Sequence, residues 1–243
     1  MRKVGLIYKT TSKAAVEKAA IAARWLKENG VEALVGSEIV PSISGATPVP
    51  IEEMGALSEF VVCLGGDGTL LYAAGVLREH PVPVLGVHMG TLGFLTSFLQ
   101  DELEFGLENA LAGKLETEDR IRISANLKRP GQADIEGIAA NDVVISQGSL
   151  ARLLELQVKV DGETITHYKS DGLIVGTPTG STAYNLAAGG PIMTPELQTL
   201  CLTPICPHSL NQRPLLLPAA SRIEVSVGGT RDNAYMTVDG QRG

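Results

Sequence analysis

A short glycine-rich segment, Gly65-Gly66-Asp67-Gly68-Thr69, has the residue types and spacing best suited to chemistry in this sequence. It follows the apolar run Phe60–Leu64 and precedes helical spacing from Leu70 to Leu77. The N-terminus of a helix after a buried parallel strand offers free backbone amides and a partial positive charge, and both favour phosphate. Glycine allows the backbone to approach a ligand closely enough to use those amides. We therefore predict a phosphate loop that includes Gly65, Gly66 and Thr69.

Asp67 is the informative residue of this loop. A carboxylate among phosphate-binding amides would repel the ligand unless it holds a cation or takes a proton from an attacking hydroxyl. Both roles belong to phosphoryl transfer, and the loop lacks the Gly-Lys-Ser/Thr ending of a Walker A motif. The structural alternative is that Asp67 merely caps the helix that follows.

A second strand, predicted at Gly172–Gly176, runs into a turn rich in hydroxyl groups. We predict that Thr179 or Ser181 caps a helix that extends through Ala188 and ends at the following glycines. The start of this helix would present amides and hydroxyls to a polar or anionic ligand group, and Tyr184 would offer a flat face to a base. By itself the segment is typical of a well-capped connecting helix. Together with the first glycine loop it favours a nucleotide site.

The elements that must position these segments change character along the chain. In the first hundred residues, apolar runs such as Val4–Tyr8 and Val84–Val87 alternate with helical spacing, as at Lys13–Asn29, and the proline-containing segment Ser37–Pro50 is predicted as a loop. This pattern predicts an open, mostly parallel sheet with helices on both faces. Later the apolar period changes to two, as at Leu154–Val160. We expect an α/β N-terminal domain at 1–100 and a β-rich C-terminal domain at 101–243.

Composition excludes several classes of protein. The chain has 243 residues, 44% of them hydrophobic, and a formal net charge of -7, which favours a globular protein and gives no basic surface for nucleic acid. No apolar run is long enough for a membrane span, and the first apolar segment ends too soon for a signal peptide. The three cysteines lack CxxC spacing, which favours free thiols in a reducing compartment over metal ligation. We expect a cytoplasmic protein with no nucleic-acid or membrane partner.

Six segments together resemble the NAD kinase family. They are GGDGT at 65–69, GTLGFL at 90–95, Asn141-Asp142, TPTGSTAYNLAAGGPI at 177–192, PHSL at 207–210 and VDGQ at 238–241. The GGDGT loop is shared with diacylglycerol-type lipid kinases and phosphofructokinases, whereas the segment 177–192 is far more specific. The alternatives are a lipid or sugar kinase that uses the same loop, or a non-catalytic dinucleotide-binding module.

The resemblance implies transfer of the γ-phosphoryl group of ATP, or of polyphosphate, to the 2'-hydroxyl of the adenosine ribose of NAD, giving NADP. It implies a divalent cation, Mg2+, carried with ATP, and Asp67 as the proton acceptor. It implies contacts to NAD by Asp67, Gly68, Asn141, Asp142, Arg152, Lys169, Asp171, Thr182, Ala183, Tyr184, Asn185, Leu186, Ala187 and Gln241. No residues are assigned to a protein-bound metal.

At the level of the whole molecule, the resemblance implies an α/β domain joined to a β-rich domain with the site between them. It also implies a homodimer or homotetramer in which the dinucleotide site takes residues from a neighbouring subunit. The sequence departs from the family pattern in three places. Tyr72 stands where many bacterial members have a basic residue, Cys206 lies at a variable position, and the sequence ends at Gly243, where the family pattern continues through further strands.

Overall fold

A computed structural model describes residues 1–39, 42–90, 93–148, 153–228 and 234–242, with the backbone alone at 241–242. The chain divides into two compact units, Met1–Glu118 and Asp119–Gly243. Residues 101–118 therefore fall in the first unit, whereas the sequence pattern led us to place the boundary after residue 100. In the described part of the chain, no helix is long and apolar enough to cross a membrane.

The first unit is built on one six-stranded parallel sheet. Its strands are β1 (Lys3–Tyr8), β2 (Glu32–Gly36), β3 (Thr47–Val49), β4 (Phe60–Gly65), β5 (Val84–His88) and β6 (Phe98–Leu99). Its helices are α1 (Lys13–Glu28), α2 (Met54–Leu57), α3 (Asp67–Val76) and α4 (Leu103–Leu111). The strand order is β3-β2-β1-β4-β5-β6, and all neighbouring pairs are parallel.

Alternate residues of β1 face two separate hydrophobic cores. Leu6 lies in one core with Leu26 of α1 and Leu107 of α4. Ile7 lies in the other core with Met54 of α2 and the buried face of α3. Because the sheet is covered on both faces, its strands are continuous apolar runs and not alternating ones. The predicted parallel sheet with helices on both faces is confirmed.

The second unit is antiparallel and β-rich, as the change of period predicted. Its strands are β7 (Ile123–Leu127), β8 (Ile135–Ala139), β9 (Asp142–Gln147), β10 (Leu154–Val160), β11 (Glu163–Ser170), β12 (Gly172–Gly176), β13 (Thr199–Ile205), β14 (Leu215–Pro218), β15 (Ile223–Val227), β16 (Ala234–Val238) and β17 (Gln241–Arg242). The described strands form three sheets with the orders β14-β13-β12-β9-β16-β17, β11-β10-β15 and β7-β8. The six- and three-stranded sheets share a core that includes Leu156 of β10 and Leu173 of β12.

Three local predictions were wrong. The segment Ser37–Pro50 is not entirely a loop, because Thr47–Val49 forms the edge strand β3. The helix after the glycine loop begins at Asp67, so the loop residues 67–69 are its first turn. The helix predicted to extend through Ala188 is a 3-10 turn at Thr179–Thr182 followed by the short helix α5 (Tyr184–Ala187), and neither has a side-chain cap.

Candidate active site

The strand order of the first unit determines where its crevice lies. In the strand order, β2 and β3 lie on one side of β1, and β4 lies on its other side. Ligands in open α/β sheets bind at such a switch point, beyond the carboxyl ends of the two strands. A cavity of about 700 Å³ lies there. It is lined by Tyr8, Lys9, Thr10, Glu38, Ile39, Gly66, Gly68, Thr69 and Tyr72.

The Asp67 carboxylate does not cap α3. The helix has Gly66 at its N-cap and no side-chain cap bond. Instead Asp67 Oδ2 accepts the backbone N–H of Phe94 at 3.0 Å, and Oδ1 accepts that of Leu95 at 3.2 Å. Each oxygen keeps a further lone pair, so the carboxylate is held in a fixed orientation and is still able to accept a proton. The capping alternative is therefore wrong for this side chain.

Two glycines give Asp67 and the loop the space that they need. A Cβ on Gly93 would overlap the Asp67 carboxylate, so the segment after β5 approaches Asp67 closely only because this residue is glycine. A Cβ on Gly65 would overlap the Thr69 side chain in the same way. The Thr69 side chain therefore packs against the end of β4, and the same residue also lines the cavity.

The aromatic wall of the crevice is uncharged at neutral pH. Burial raises the pKa of Tyr72, and the nearby Glu38 charge raises it further, so the phenol keeps its proton. Tyr72 is 42% exposed and lines the same cavity as the loop residues. The departure from a basic residue at this position thus puts a hydrogen-bonding aromatic ring, and not a cation, beside the phosphate loop.

A second cavity, of about 380 Å³, lies in the second unit. It is lined by Asn141, Asp142, Val144, Ser146, Ala183, Tyr184, Thr237, Asp239 and Gly240. Asn141 Oδ1 is buried and has no hydrogen-bond partner among the described residues. Burial raises the pKa of Asp142 to about 6, and the charge of Asp239 contributes to this shift. The residues that line the cavity thus carry an unsatisfied buried acceptor and a buried carboxyl group.

Thr177 fixes the segment that carries Asn141 and Asp142. Its hydroxyl donates to the Ala140 carbonyl at 2.5 Å, and its backbone N–H donates to the Asn141 carbonyl at 2.8 Å. The same hydroxyl accepts the N–H of Gly180 at 3.1 Å. A Cβ on Gly180 would overlap the Asn141 carbonyl oxygen. The glycine and the threonine of this turn therefore have a structural function, which is to position the residues of the cavity.

The structure divides the predicted contacts at 182–187 into two groups. Ala183 and Tyr184 line the second cavity, and the Tyr184 ring is 46% exposed. The Asn185 side chain is fully buried and points away, donating to the carbonyls of Ser181 and Pro191 and accepting from Thr203 at 2.6 Å. Thr182, Leu186 and Ala187 are not among the residues that line either cavity. These hydrogen bonds already occupy the Asn185 side chain, so they do not favour its predicted contact with the dinucleotide.

Lys169 and Asp171 are not among the lining residues of the second cavity, although Ser146, which pairs with Gly172 next to Asp171, is one of them. In the β9–β12 register Asp142 lies opposite Gly176, whereas Ser146 lies opposite Gly172, which Asp171 directly precedes. The two groups are therefore at opposite ends of these strands, roughly 17 Å apart along the strand direction. Asp171 Oδ1 accepts the Gln147 amide at 3.1 Å, and Lys169 lies 3.5 Å from Glu155. Arg152 and the side chain of Gln241 lie outside the described residues.

Sequence reasoning missed several lining residues of both cavities. Lys9 and Thr10 follow β1, the strand beside β4, and line the cavity because the loops after adjacent parallel strands meet. The sequence alone did not predict which strands are neighbours. Ser146 and Thr237 are polar residues within β9 and β16, and no signal in the sequence marked them as cavity residues. Asp239 was part of a matched motif, but no role was assigned to it.

Together these features define a class of protein: a nucleotide-dependent phosphotransferase with a glycine loop at a switch point. The family model for the ATP-NAD kinase N-terminal domain matches residues 4–115, and that for the C-terminal domain matches residues 140–243. The NAD kinase of Geobacter sulfurreducens is 38% identical over 243 residues, covering 100% of this chain and 86% of the relative. The NAD kinase of Solibacter usitatus is 40% identical over 243 residues, covering 100% of this chain and 85% of that relative.

Two solved structures are also similar. Yeast NADH kinase complexed with NADH superposes with a TM-score of 0.90 at 29% identity, covering 100% of this chain and 76% of the yeast chain. An NAD kinase from Archaeoglobus fulgidus in complex with ATP gives a TM-score of 0.77 at 28% identity, covering 100% of this chain and 85% of the other. The chain belongs to the NAD kinase family, and it is a phosphotransferase.

Proposed function

We propose that the chain transfers the γ-phosphoryl group of ATP to the 2'-hydroxyl of the adenosine ribose of NAD, with Asp67 as the proton acceptor. The observation that carries this assignment is the Asp67 carboxylate, held by two backbone amides beside a phosphate loop and not used as a helix cap. In the step itself the hydroxyl oxygen forms a bond to the γ-phosphorus as the bond to the β–γ bridging oxygen breaks. The hydroxyl proton passes to Asp67, and ADP leaves.

The crevice of the first unit is proposed as the site of the donor phosphates. The first turn of α3 supplies the amide of Gly68, and Lys9 supplies a cation in the same cavity. Amides at a helix N-terminus and a flexible ammonium group are both suited to phosphate oxygens. Polyphosphate has the same repeating anhydride chemistry, so the phosphate contacts alone do not select between the two donors.

Mg2+ is proposed to enter with ATP. Among the described residues, no group of three or more His, Cys, Asp or Glu side chains is placed to hold a metal. Mg2+ is commonly bound by one or two carboxylates together with substrate phosphates, and the free lone pairs of Asp67 fit such a ligand. The cation would neutralise charge on the phosphates. The chain's own contribution is to fix the loop and the carboxylate around them.

The cavity of the second unit is proposed to hold the dinucleotide. Asn141 Oδ1 is a buried acceptor with no partner among the described residues, and a ligand N–H or hydroxyl would satisfy it. Asp142 can accept from ribose hydroxyls, and the exposed ring of Tyr184 can stack on a base. Ser146 and Thr237 line the same cavity and add two hydroxyl groups to these polar contacts.

A homo-oligomer is proposed because the predicted dinucleotide residues are separated within one chain. Asp171 lies beside the far end of the β9–β12 pair from Asp142, so the two carboxylates cannot contact the same group of one ligand within that unit. Lys169 lies in β11, where it pairs with Glu155 of β10. A second copy of the chain could supply them to the cavity of the first. The physiological role that we propose is NADP synthesis in the cytoplasm, and the unbridged cysteines support a reducing compartment.

The activity is tested by incubating the protein with NAD, Mg2+ and either ATP or polyphosphate, and measuring NADP with an NADP-specific dehydrogenase. We expect NADP to accumulate with ATP. Folded protein that binds NAD but forms no NADP with either donor would favour the non-catalytic module. Phosphorylation of a diacylglycerol or a sugar, in the absence of NADP formation, would favour the other kinase classes.

A further inference from the structure

Asp239 is the first residue of a tight hairpin between β16 and β17, and its carboxylate does more than the turn requires. Asp239 and Gly240 have φ values of 48° and 73°, which is the pattern of a two-residue type I′ turn. Asp-Gly and Asn-Gly sequences both suit such a turn, so the turn itself does not need a charge.

The Asp239 carboxylate accepts three consecutive backbone amides from the segment before β9. Oδ2 accepts the N–H of Ala140 at 2.8 Å, and Oδ1 accepts those of Asn141 at 2.7 Å and Asp142 at 3.1 Å. The Asp239 N–H in turn donates to the Asp142 carbonyl at 3.0 Å. Thr177 holds the carbonyls of Ala140 and Asn141 from the other side. The backbone of residues 140–142 is thus fixed, and the side chains of Asn141 and Asp142 remain for the cavity.

We propose that Asp239 is a positioning residue for dinucleotide binding, acting through the backbone of residues 140–142. This inference rests on the proposed function, because it takes the second cavity to be the dinucleotide site. A charged acceptor that gathers three amides fixes orientation more strongly than a neutral one, since bonds to ionised groups are the stronger kind. An asparagine at 239 would have one acceptor oxygen, and its NH2 group would face a backbone N–H.

The chain contains a matched control in the hairpin between β10 and β11. Asp161 and Gly162 have φ values of 52° and 91° and form the same kind of two-residue turn. Asp161 Oδ1 also accepts a backbone N–H, that of Arg222 at 2.9 Å, but it does not line the second cavity. Asp161→Asn therefore makes the same chemical change in the same backbone conformation, away from the proposed site.

The test compares Asp239→Asn and Asp239→Gly with Asp161→Asn in steady-state kinetics at varied NAD and varied ATP. Both changes at 239 tolerate positive φ, so a loss of either variant to poor folding leaves the other. We expect the KM for NAD to rise about tenfold or more in both 239 variants, with the KM for ATP within about twofold, as for loss of bonds to a charged group. Asp161→Asn should leave both KM values unchanged.

A KM for NAD within twofold of the native value in a folded 239 variant overturns the proposal, as does an equal rise in the KM for ATP. Hydrogen exchange provides a second measurement. The amides of Asn141 and Asp142 should exchange faster in Asp239→Asn than in Asp161→Asn, and equal rates also overturn it. Asp142→Asn distinguishes a failure of the proposed dinucleotide site from a failure of the positioning role of Asp239. If that variant leaves the KM for NAD unchanged, the proposed dinucleotide site fails, whereas an effect at Asp142 without one at Asp239 refutes only the positioning role.

Discussion

The carboxylates of Asp67 in the first unit and Asp142 in the second unit are in different environments. Asp67 is partly exposed and accepts two backbone amides, whereas Asp142 is only 5% exposed and lies beside a second carboxylate. A buried carboxyl near a like charge holds its proton more tightly than the same group in the unfolded chain. The cost of keeping Asp142 ionised must therefore be offset by the rest of the fold, as is common for binding residues.

Asp142→Asn should stabilise the second unit while it weakens NAD binding. Burial raises the pKa of Asp142 to about 6 in the folded protein from an ordinary value of 3.8, so its favourable contribution to folding is complete below the lower value and is lost as the pH rises through 6. The variant's gain in Tm over the native protein should thus grow between about pH 4 and pH 6 and then level off, at a few degrees Celsius. Thermal unfolding of both proteins across this pH range measures the gain in Tm. A gain that is independent of pH contradicts the assigned pKa.

At the scale of elements, strand order and backbone clamps position the site residues more than helix ends do. The loops after β1 and β4 meet because these strands are neighbours at the switch point. In the second unit, a turn rich in glycine and hydroxyl groups holds residues 140–142 by close backbone approach. This turn is a support for the cavity, and the predicted anion-binding helix start is absent from it because the helix is only Tyr184–Ala187.

Gly180→Ala tests this support directly. Its Cβ would overlap the Asn141 carbonyl oxygen, which is backbone and cannot move without displacing the segment that Thr177 and Asp239 hold. We expect the KM for NAD to rise about tenfold, together with a loss of stability of about 1–3 kcal/mol, as for overpacking. Gly176→Ala is the matched control, since its nearest neighbour would be Asn185 Cβ at 3.8 Å. Equal KM values for NAD in the two variants, measured in the NADP assay, would show that the turn does not support the cavity.

Sequence patterns predicted the elements whose stability is local. Helix α1 and strand β10 follow from their apolar periods, β12 follows from a continuous apolar run, and the two glycine segments follow from their residue types. The patterns did not identify β13, in which Pro204 argues against a strand; Pro204 lies beyond Leu202, the last residue that pairs with β14, where the strand has a free edge. The break after Thr182 depends on Asn185, which bonds to Ser181, Pro191 and Thr203. Such long-range hydrogen bonds override a helical pattern and have no signature in local spacing.

At the scale of the whole molecule, the distribution of the dinucleotide residues is the feature that needs explanation. One chain presents Asn141 and Asp142 at one end of the β9–β12 pair and Asp171 beside the other end. A symmetric dimer brings two such surfaces together twice, because each contact in a two-fold interface occurs as a pair. The proposed sharing of the site between subunits predicts that assembly is a condition of activity.

Complementation between inactive variants tests the shared site. Asp142→Asn and Asp171→Ala should each raise the KM for NAD strongly when assayed alone. Co-expressed with different tags and purified through both, they should form mixed oligomers that regain activity, because one cavity then combines two native halves. In dimers selected through both tags, about half of the sites would be native, because each mixed dimer has one native site of two. Asn141→Ala mixed with Asp142→Asn is the control, since both changes affect the same half. No recovery in the first mixture would refute the shared site.

The central claim is that Asp67 acts in the chemical step. The structure excludes a helix-cap role but raises another, since the carboxylate also anchors the segment 93–95 through the N–H groups of Phe94 and Leu95. Asp67→Asn keeps the size of the side chain and one acceptor oxygen, and it removes the charge and the basicity. A loop-anchoring role would weaken substrate binding, whereas a role as proton acceptor would lower turnover at saturation.

The most direct measurement is therefore kcat of Asp67→Asn at saturating NAD and ATP, with the dissociation constant for NAD determined separately by titration. General base catalysis typically contributes about 10²–10⁴-fold in rate. The account predicts that kcat falls by at least about a hundredfold while the NAD dissociation constant is unchanged or lower. A variant that retains most of the native kcat once both sites are saturated would contradict the catalytic assignment.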